Sequence, residues 1–326
     1  MQAWILDDAP GRYRLGDIAT PEPAADEVRV RVVISALNHM DLWLTRGMPK
    51  PKLPHVPGCD VAGVVDAVGT EPGAIAVGDE VVVNPAVSCR RCHQCLAGES
   101  PLCQRFQILG EQRWGGHGEF VVVPAANVSP RPPGRTWEEA GAFGLCTLTA
   151  WRMLRRARLR PGETVLVVGV GGGVSSAALV LARAMGSRVF ATSRDRDKRS
   201  RAVALGAEAA FDSKEDFPVR ADVVVENVGA ATWSRSIKAL STGGRLVTCG
   251  GTAGPVVEVN LPRLFFKQHE IIGSTMGSYA EWDQVTAMVG DGLPVIVDET
   301  LALANYPEAL RRLESGSQLG KIVLRH

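Results

Sequence analysis

The sequence predicts an α/β chain of two domains, a β-rich one followed by a doubly wound parallel sheet. Two changes of hydrophobic period and one glycine-rich turn point to it. Up to about Pro124, runs such as EVRVRVVISAL, DVAGVVDAVG and DEVVVNP alternate apolar and polar residues and break at Gly, Pro and acidic turns. That is the pattern of antiparallel or barrel-like strands. From about Glu138 apolar residues recur at helical spacing through EEAGAFGLCTLTAWRML and stop before Pro161-Gly162. TVLVVGV is then apolar throughout, as a parallel strand covered on both faces must be.

Helices and strands alternate from there. A helix is expected from Ser175 to Met185, the strand RVFATS, and a helix from Asp197 to Leu205. Strands ADVVVENVG and RLVTCG follow, separated by a helix near Trp233 to Leu240, and this order gives a parallel sheet. Two helical stretches follow Ala280, and the terminal KIVLR has no partner in that sheet, so it is expected back in the N-terminal β domain. The expected boundaries are 1–125, 126–272 and 273–326. HEIIGSTM, residues His269 to Met276, should form the sheet's edge, where the Ile271-Ile272 pair invites a second copy and hence a homodimer.

Charge and composition narrow the function. Of 326 residues, 36 are Lys or Arg and 35 Asp or Glu, a net +1, which argues against a partner such as nucleic acid or an anionic membrane. The basic run Arg152, Arg155, Arg156, Arg158 and Arg160 lacks interleaved aromatics and reads as a solvated helix face. No apolar run approaches the ~20 residues of a bilayer span. Asp7 and Asp8 stand where a signal peptide is apolar, so a cytoplasmic enzyme of small molecules is expected.

The turn Gly169-Val170-Gly171-Gly172-Gly173-Val174-Ser175 follows an apolar strand and opens a helix. Small residues let the backbone approach a pyrophosphate, and the helix N-terminus offers it free N–H groups. Ser175 stands where a third Gly is usual, which is expected to hold the helix slightly off the sheet. At the end of the next strand, Ser193-Arg194 replaces the acid that would bind the ribose hydroxyls of NAD. Arg194 can meet a 2′-phosphate, which makes NADPH the expected cofactor, provided Asp195 and Asp197 point away.

Four of the seven cysteines, Cys89, Cys92, Cys95 and Cys103, fall within fifteen residues. Four thiolates at this spacing suit a closed tetrahedral zinc site that supports folding and performs no chemistry. An iron–sulfur cluster is the rival, and the Pro that follows the last cysteine of a ferredoxin run is missing. Cys59, Cys146 and Cys249 stand alone.

With these residues in view the chain resembles the medium-chain dehydrogenase/reductase superfamily. VPGCDVAGVVDAVG is similar to its VPGHExxGxVxxVG, GGHGEFVVVP to its GGxAEY segment, and the cysteine spacing to its structural zinc lobe (about 84–113). The resemblance implies a GroES-like β-barrel catalytic domain, an inserted Rossmann NADP-binding domain, and a C-terminal return. It also implies that the catalytic zinc is lost. The family's first ligand position is Asn38 of Asn38-His39-Met40-Asp41, the second is Cys59 before Asp60, and the third is Leu145. Asn38 with Asp41 resembles the NxxD of the zinc-free quinone oxidoreductase branch.

The resemblance further places Thr149 against the nicotinamide, Lys198 and Lys321 near the ribose and pyrophosphate, and Gly250 with the cofactor-binding residues. Asn38 is the expected donor to a developing enolate, with His39 and Arg46 as groups that polarise a carbonyl or bind an anionic substrate. Trp43, Met48, Trp114 and Met276 are expected to line an apolar pocket. The expected activity is an NADPH-dependent reductase of quinones or α,β-unsaturated carbonyls. The alternatives are a zinc alcohol dehydrogenase with shifted ligands (Cys59, Cys146, His39 or Asp60) and a non-catalytic NADPH-binding protein.

Overall fold

A computed structural model describes all 326 residues. The chain divides into two units, one of residues 1–145 and 277–326 and the other of residues 146–276.

The first unit begins with the antiparallel pair β1 (Gln2–Leu6) and β2 (Tyr13–Asp17), followed by β3 (Glu27–Ala36), the short helix α1 (His39–Thr45) and β4 (Asp60–Val68). β5 (Glu80–Val83) precedes a lobe built from β6 (Ala86–Val87), α2 (His93–Leu96) and β7 (Gln107–Ile108). β8 (Phe120–Pro124) and β9 (Val128–Pro130) complete its N-terminal strands. Alternation decides which face is buried: Val28, Val30, Val32 and Ile34 of β3 all point inward. Val28, Val30 and Val32 meet Val61 and Val65 from the antiparallel β4 in one apolar core. α3 (Trp137–Ala142) packs its Ala142 beside Ile34 and Ala36 of β3.

The expected single helix after Glu138 is in fact two, α3 and α4 (Gly144–Arg156), broken at Phe143. The boundary expected at 125/126 accordingly falls at 145/146, because β9 pairs with β5 and α3 packs on β3.

The second unit holds the parallel sheet. Its strands are β10 (Thr164–Val167), β11 (Arg188–Ser193), β12 (Ala209–Asp212), β13 (Ala221–Glu226), β14 (Leu240–Thr248) and β15 (Glu270–Gly273). They lie in the order β12-β11-β10-β13-β14-β15, all pairs parallel. Val165, Leu166, Val167, Val223, Val224 and Val225 are fully buried, as strands covered on both faces require. The connecting helices are α5 (Gly173–Ala184), α6 (Arg196–Ala204), α7 (Trp233–Ala239) and α8 (Leu261–Phe266). β15 is an edge, and Ile271 on it is exposed. Arg152 departs from the expected solvated face: it is buried in α4.

The chain then re-enters the first unit through α9 (Tyr279–Gly290), β16 (Val297–Ala302), α10 (Tyr306–Ser315) and β17 (Lys321–Arg325). β17 pairs antiparallel with β3, with Val323 opposite Ala36, so the terminal strand is central to the seven-stranded sheet. Trp282 of α9 stacks on Phe143 and donates to Ser129 Oγ at 2.8 Å. These contacts fix the returning segment within its unit.

Candidate functional site

The first unit holds a buried polar junction centred on Asp60, the first residue of β4. Its Oδ2 accepts from Lys321 Nζ at 2.8 Å and Asn38 Nδ2 at 3.0 Å, and its Oδ1 from the Leu145 amide at 2.5 Å. That amide belongs to the first turn of α4, where the helix dipole favours a carboxylate. Gly144 permits the approach, since a Cβ there would lie 2.7 Å from Asp60 Oδ1. Lys321 Nζ also donates to Asn38 Oδ1 at 2.7 Å and to the Leu37 carbonyl at 2.6 Å. All three ammonium hydrogens are therefore engaged inside this unit.

A second chain of polar groups runs alongside. Asp41 Oδ2 accepts from the Asn38 amide at 2.7 Å, which caps α1. Asp41 Oδ1 lies 3.4 Å from His117 Nε2. His117 Nδ1 shares a hydrogen with Ser35 Oγ at 2.9 Å, and the same hydroxyl reaches His326 Nε2 at 2.9 Å. Gly58 (φ +104°) allows this packing, because a Cβ there would sit 2.7 Å from His117 Nδ1. Tyr13 Oη donates to the Asp41 carbonyl, and burial first and the Asp41 charge second push the Tyr13 phenol well up.

His39 is the polar group of this region with an accessible imidazole. It opens α1, lies 6.3 Å from the Trp43 ring between centroids, and makes no hydrogen bond within the chain. Burial chiefly, and then the Lys321 charge, lower its pKa, so the ring is neutral at pH 7. Cys59 is wholly buried among Leu6, Met40 and Leu44, and burial pushes its thiol far above the usual range. Arg46 pairs at the surface with Glu314 at 2.9 Å. Trp114 Nε1 donates to the Pro54 carbonyl, and Met48 is exposed.

In the second unit the glycine-rich turn joins β10 to α5. Gly169 adopts φ +73°, and the Val170 amide bonds back to the Thr192 carbonyl of β11. The α5 N-cap is Gly172, so no side chain caps the first-turn N–H groups, and the space beside its Cα is open. These are the features a pyrophosphate needs. Ser175 Oγ donates to the Val168 carbonyl at 3.0 Å, which ties the helix to the end of its strand.

At the end of β11, Ser193 is buried and Arg194 is exposed. Asp195 is exposed, and its Oδ1 caps α6, accepting from the amides of Asp197 and Lys198. The hydrogen bond from the Lys198 amide is the main cause that lowers the Asp195 pKa. Lys198 itself is buried in α6. Thr149 Oγ1 lies 3.9 Å from Met276 Sδ, both buried in this unit. Gly250 ends the loop after β14, where its amide and carbonyl meet Thr248 Oγ1. The residues present fit a dinucleotide.

The lobe gathers the four cysteine sulfurs within 4.8 Å of one another. A tetrahedron with Zn–S bonds of about 2.3 Å has S···S edges of about 3.8 Å. Cys89–Cys95 at 3.9 Å and Cys92–Cys95 at 3.5 Å match that spacing. The Arg91 amide is the first cause that lowers the Cys89 thiol to about 5. No other group of three or more metal-binding side chains comes together.

Two family models match the chain: "Alcohol dehydrogenase GroES-like domain" over residues 24–133 and "Zinc-binding dehydrogenase" over 173–291. A solved NAD-dependent alcohol dehydrogenase is 42% identical, with a TM-score of 0.95 and 100% of both chains covered. The chain belongs to the medium-chain dehydrogenase/reductase superfamily. An alcohol dehydrogenase of Geobacillus stearothermophilus is 28% identical over 100% of this chain and 99% of its own. The acryloyl-coenzyme A reductase of Metallosphaera sedula is 29% identical over 99% of each. The protein is thus an oxidoreductase of the alcohol dehydrogenase superfamily.

Of the expected catalytic residues, Asn38, His39 and Asp41 lie in the first unit and Thr149 in the second. The Asn38 side-chain nitrogen donates to Asp60 Oδ2 and, at 3.4 Å, to the Ala36 carbonyl. Lys321, expected near the ribose and pyrophosphate, donates to Asp60 Oδ2, Asn38 Oδ1 and the Leu37 carbonyl. Sequence reasoning missed His117 and also Glu226, a fully buried carboxylate at the end of β13. Glu226 accepts from the Val228 and Gly229 amides and the Thr232 and Ser236 hydroxyls, shaping the loop after its strand. The only signal for Glu226 is a lone acid in an apolar strand.

Replacing Lys321 by Met leaves the Asp60 charge buried without its counter-ion, which should cost about 3–5 kcal/mol. Urea unfolding measures it. The double variant Asp60→Asn/Lys321→Met should recover a large part of the loss, and a single variant as stable as wild type would disprove the junction's role.

Proposed function

We propose that the protein is an NADPH-dependent reductase of α,β-unsaturated carbonyl compounds or quinones, working without a catalytic metal. One observation carries the reading. Where the zinc-dependent members are expected to place their ligands, this chain brings together Asn38, Cys59 with Asp60, and Leu145. The Asn38 and Asp60 side chains bond one another and Lys321, Cys59 is a buried thiol, and Leu145 has no donor atom. Such a set does not hold a Lewis acid. Alcohol oxidation then lacks a group to acidify the hydroxyl, whereas hydride addition to a conjugated double bond needs none.

A dinucleotide held at the Gly169–Ser175 turn would supply hydride to the β-carbon of a conjugated carbonyl. A neutral imidazole N–H would be a suitable donor to the carbonyl oxygen, where charge would develop. His39 is neutral at pH 7 and unpartnered, so we assign it that task, with Asn38, Asp41 and Lys321 fixing the start of α1 beneath it. The α-carbon takes its proton from solvent. An enoyl thioester fits this class, in keeping with the name of the Metallosphaera relative.

The 42%-identical neighbour favours a second reading, an NAD-linked alcohol dehydrogenase. Turnover of a panel of alkenals, quinones, enoyl-CoA esters and alcohols decides between them, together with zinc content. The proposal expects enone reduction and about one zinc per chain, whereas alcohol oxidation with two zincs sinks it. His39→Ala should lower kcat about 100-fold with little effect on NADPH binding.

Arg194 and the absence of an inward carboxylate support NADPH. Arg194→Ala should weaken NADPH binding about tenfold or more and leave NADH binding nearly unchanged, as measured by fluorescence titration. A wild type that prefers NADH refutes the assignment.

We also propose a homodimer through β15. Its outer side has no strand partner, and Ile271 is exposed there. Light scattering at micromolar concentration should give about twice the 34.8 kDa chain mass, and Ile271→Lys should halve it. A wild-type mass of one chain defeats the claim.

A further inference from the structure

A cavity of about 410 Å³ lies in the second unit, away from the dinucleotide turn. Its walls come from three segments that each lead into a parallel strand. Asp216, Phe217 and Arg220 precede β13, Arg235 and Lys238 lie on α7 before β14, and Arg263 lies on α8 before β15. The cavity is therefore at the amino edge of the sheet, whereas the glycine-rich turn follows β10 at the carboxyl edge. It serves no step of the proposed reduction.

Four cations face this space against one carboxylate. Asp216 answers only Lys238, and loosely, at 3.8 Å with both side chains exposed. The α7 C-terminus accounts for part of the arrangement: Arg220 and Arg263 both donate to the Lys238 carbonyl. Arg235 reaches the Ala231 carbonyl at 2.6 Å. These contacts leave the Nε atoms of Arg235 and Arg263 buried and without a hydrogen-bond partner. Like charges around one space repel, and buried N–H donors without acceptors are costly. A multiply charged oxyanion in the cavity would offset the repulsion among the four cations.

We infer that this cavity binds a phosphoryl dianion, either inorganic phosphate or a phosphomonoester head group. A monocarboxylate offers one charge and two oxygens, too little for four cations approaching from three segments. A tetrahedral phosphoryl group presents oxygens in several directions, so cationic groups from all three segments can meet one. The cavity is larger than a bare phosphate, with Phe217 buried beside it, which leaves room for an ester's carbon skeleton. Bound there, the ligand bridges the entries to β13, β14 and β15.

Equilibrium dialysis of the full chain with radiolabelled inorganic phosphate tests this. Wild type and Arg194→Gln should each bind about one phosphate per chain, which separates this cavity from the cofactor's 2′-phosphate site. Arg235→Gln/Arg263→Gln should bind at least about tenfold more weakly, and the exposed Lys238→Gln about threefold more weakly. Should the double variant fail to fold, the affinity of Lys238→Gln decides the matter by itself. Displacement by glycerol phosphate marks the ester as the natural class, and resistance to it marks the free ion. No saturable binding by wild type, affinity unchanged in the folded variants, or equal displacement by acetate would overturn the inference.

Discussion

The ion pair between Asp60 and Lys321 is the constraint on which the first unit depends. Asp60 opens β4 and Lys321 opens β17, positions far apart in sequence that flank β3 in one sheet. Neither charge is tolerable alone at such burial, so the chain end must return to the N-terminal sheet for the pair to form. The same carboxylate takes the first-turn amide of α4, and the same ammonium holds the Asn38 side chain. One pair thus fixes the turn before α1, the start of β4, the start of α4 and the terminal strand. His39 inherits its position from this junction, although it touches neither charge through a hydrogen bond.

The second unit solves its problem locally. The strand-turn-helix at Gly169–Ser175 is held by the Gly171 amide to the Gly169 carbonyl, by Ser175 Oγ to the Val168 carbonyl, and by the Gly169 and Val170 amides to Thr192 of the adjacent β11. Asp195 caps α6, its side chain accepting from the Asp197 and Lys198 amides. Glu226 organises the loop after β13 with four donors. A buried carboxylate satisfied in this way confers rigidity without a counter-ion, in contrast to Asp60.

This difference explains what is legible in the sequence. Strand periods, the glycine-rich turn, the cysteine spacing and the homeless KIVLR are local signals, and each fixes its own element. The edge position of β15 follows from chain order. The break between α3 and α4 is not legible, and just after it the Leu145 amide donates to Asp60, a partner 85 residues away. The roles of Asn38 and Lys321 escape sequence reasoning for the same reason. Their partners lie hundreds of residues away in one case and 22 in the other, and no spacing rule links them. Arg152 looks solvated because its neighbours on α4 are charged, yet it is buried.

Cysteine shows how far environment, rather than residue type, decides chemistry in this chain. Cys89 lies near backbone amides and the Arg105 side chain, which favour its thiolate, and three further sulfurs stand within reach. Cys59 lies in an apolar cluster beside Asp41 and Asp60, where burial first and then two negative charges oppose ionisation. A divalent cation needs deprotonated ligands, and only the lobe supplies them together. The lobe thus offers a metal what the Cys59 environment does not, four converging sulfurs and groups that favour the thiolate.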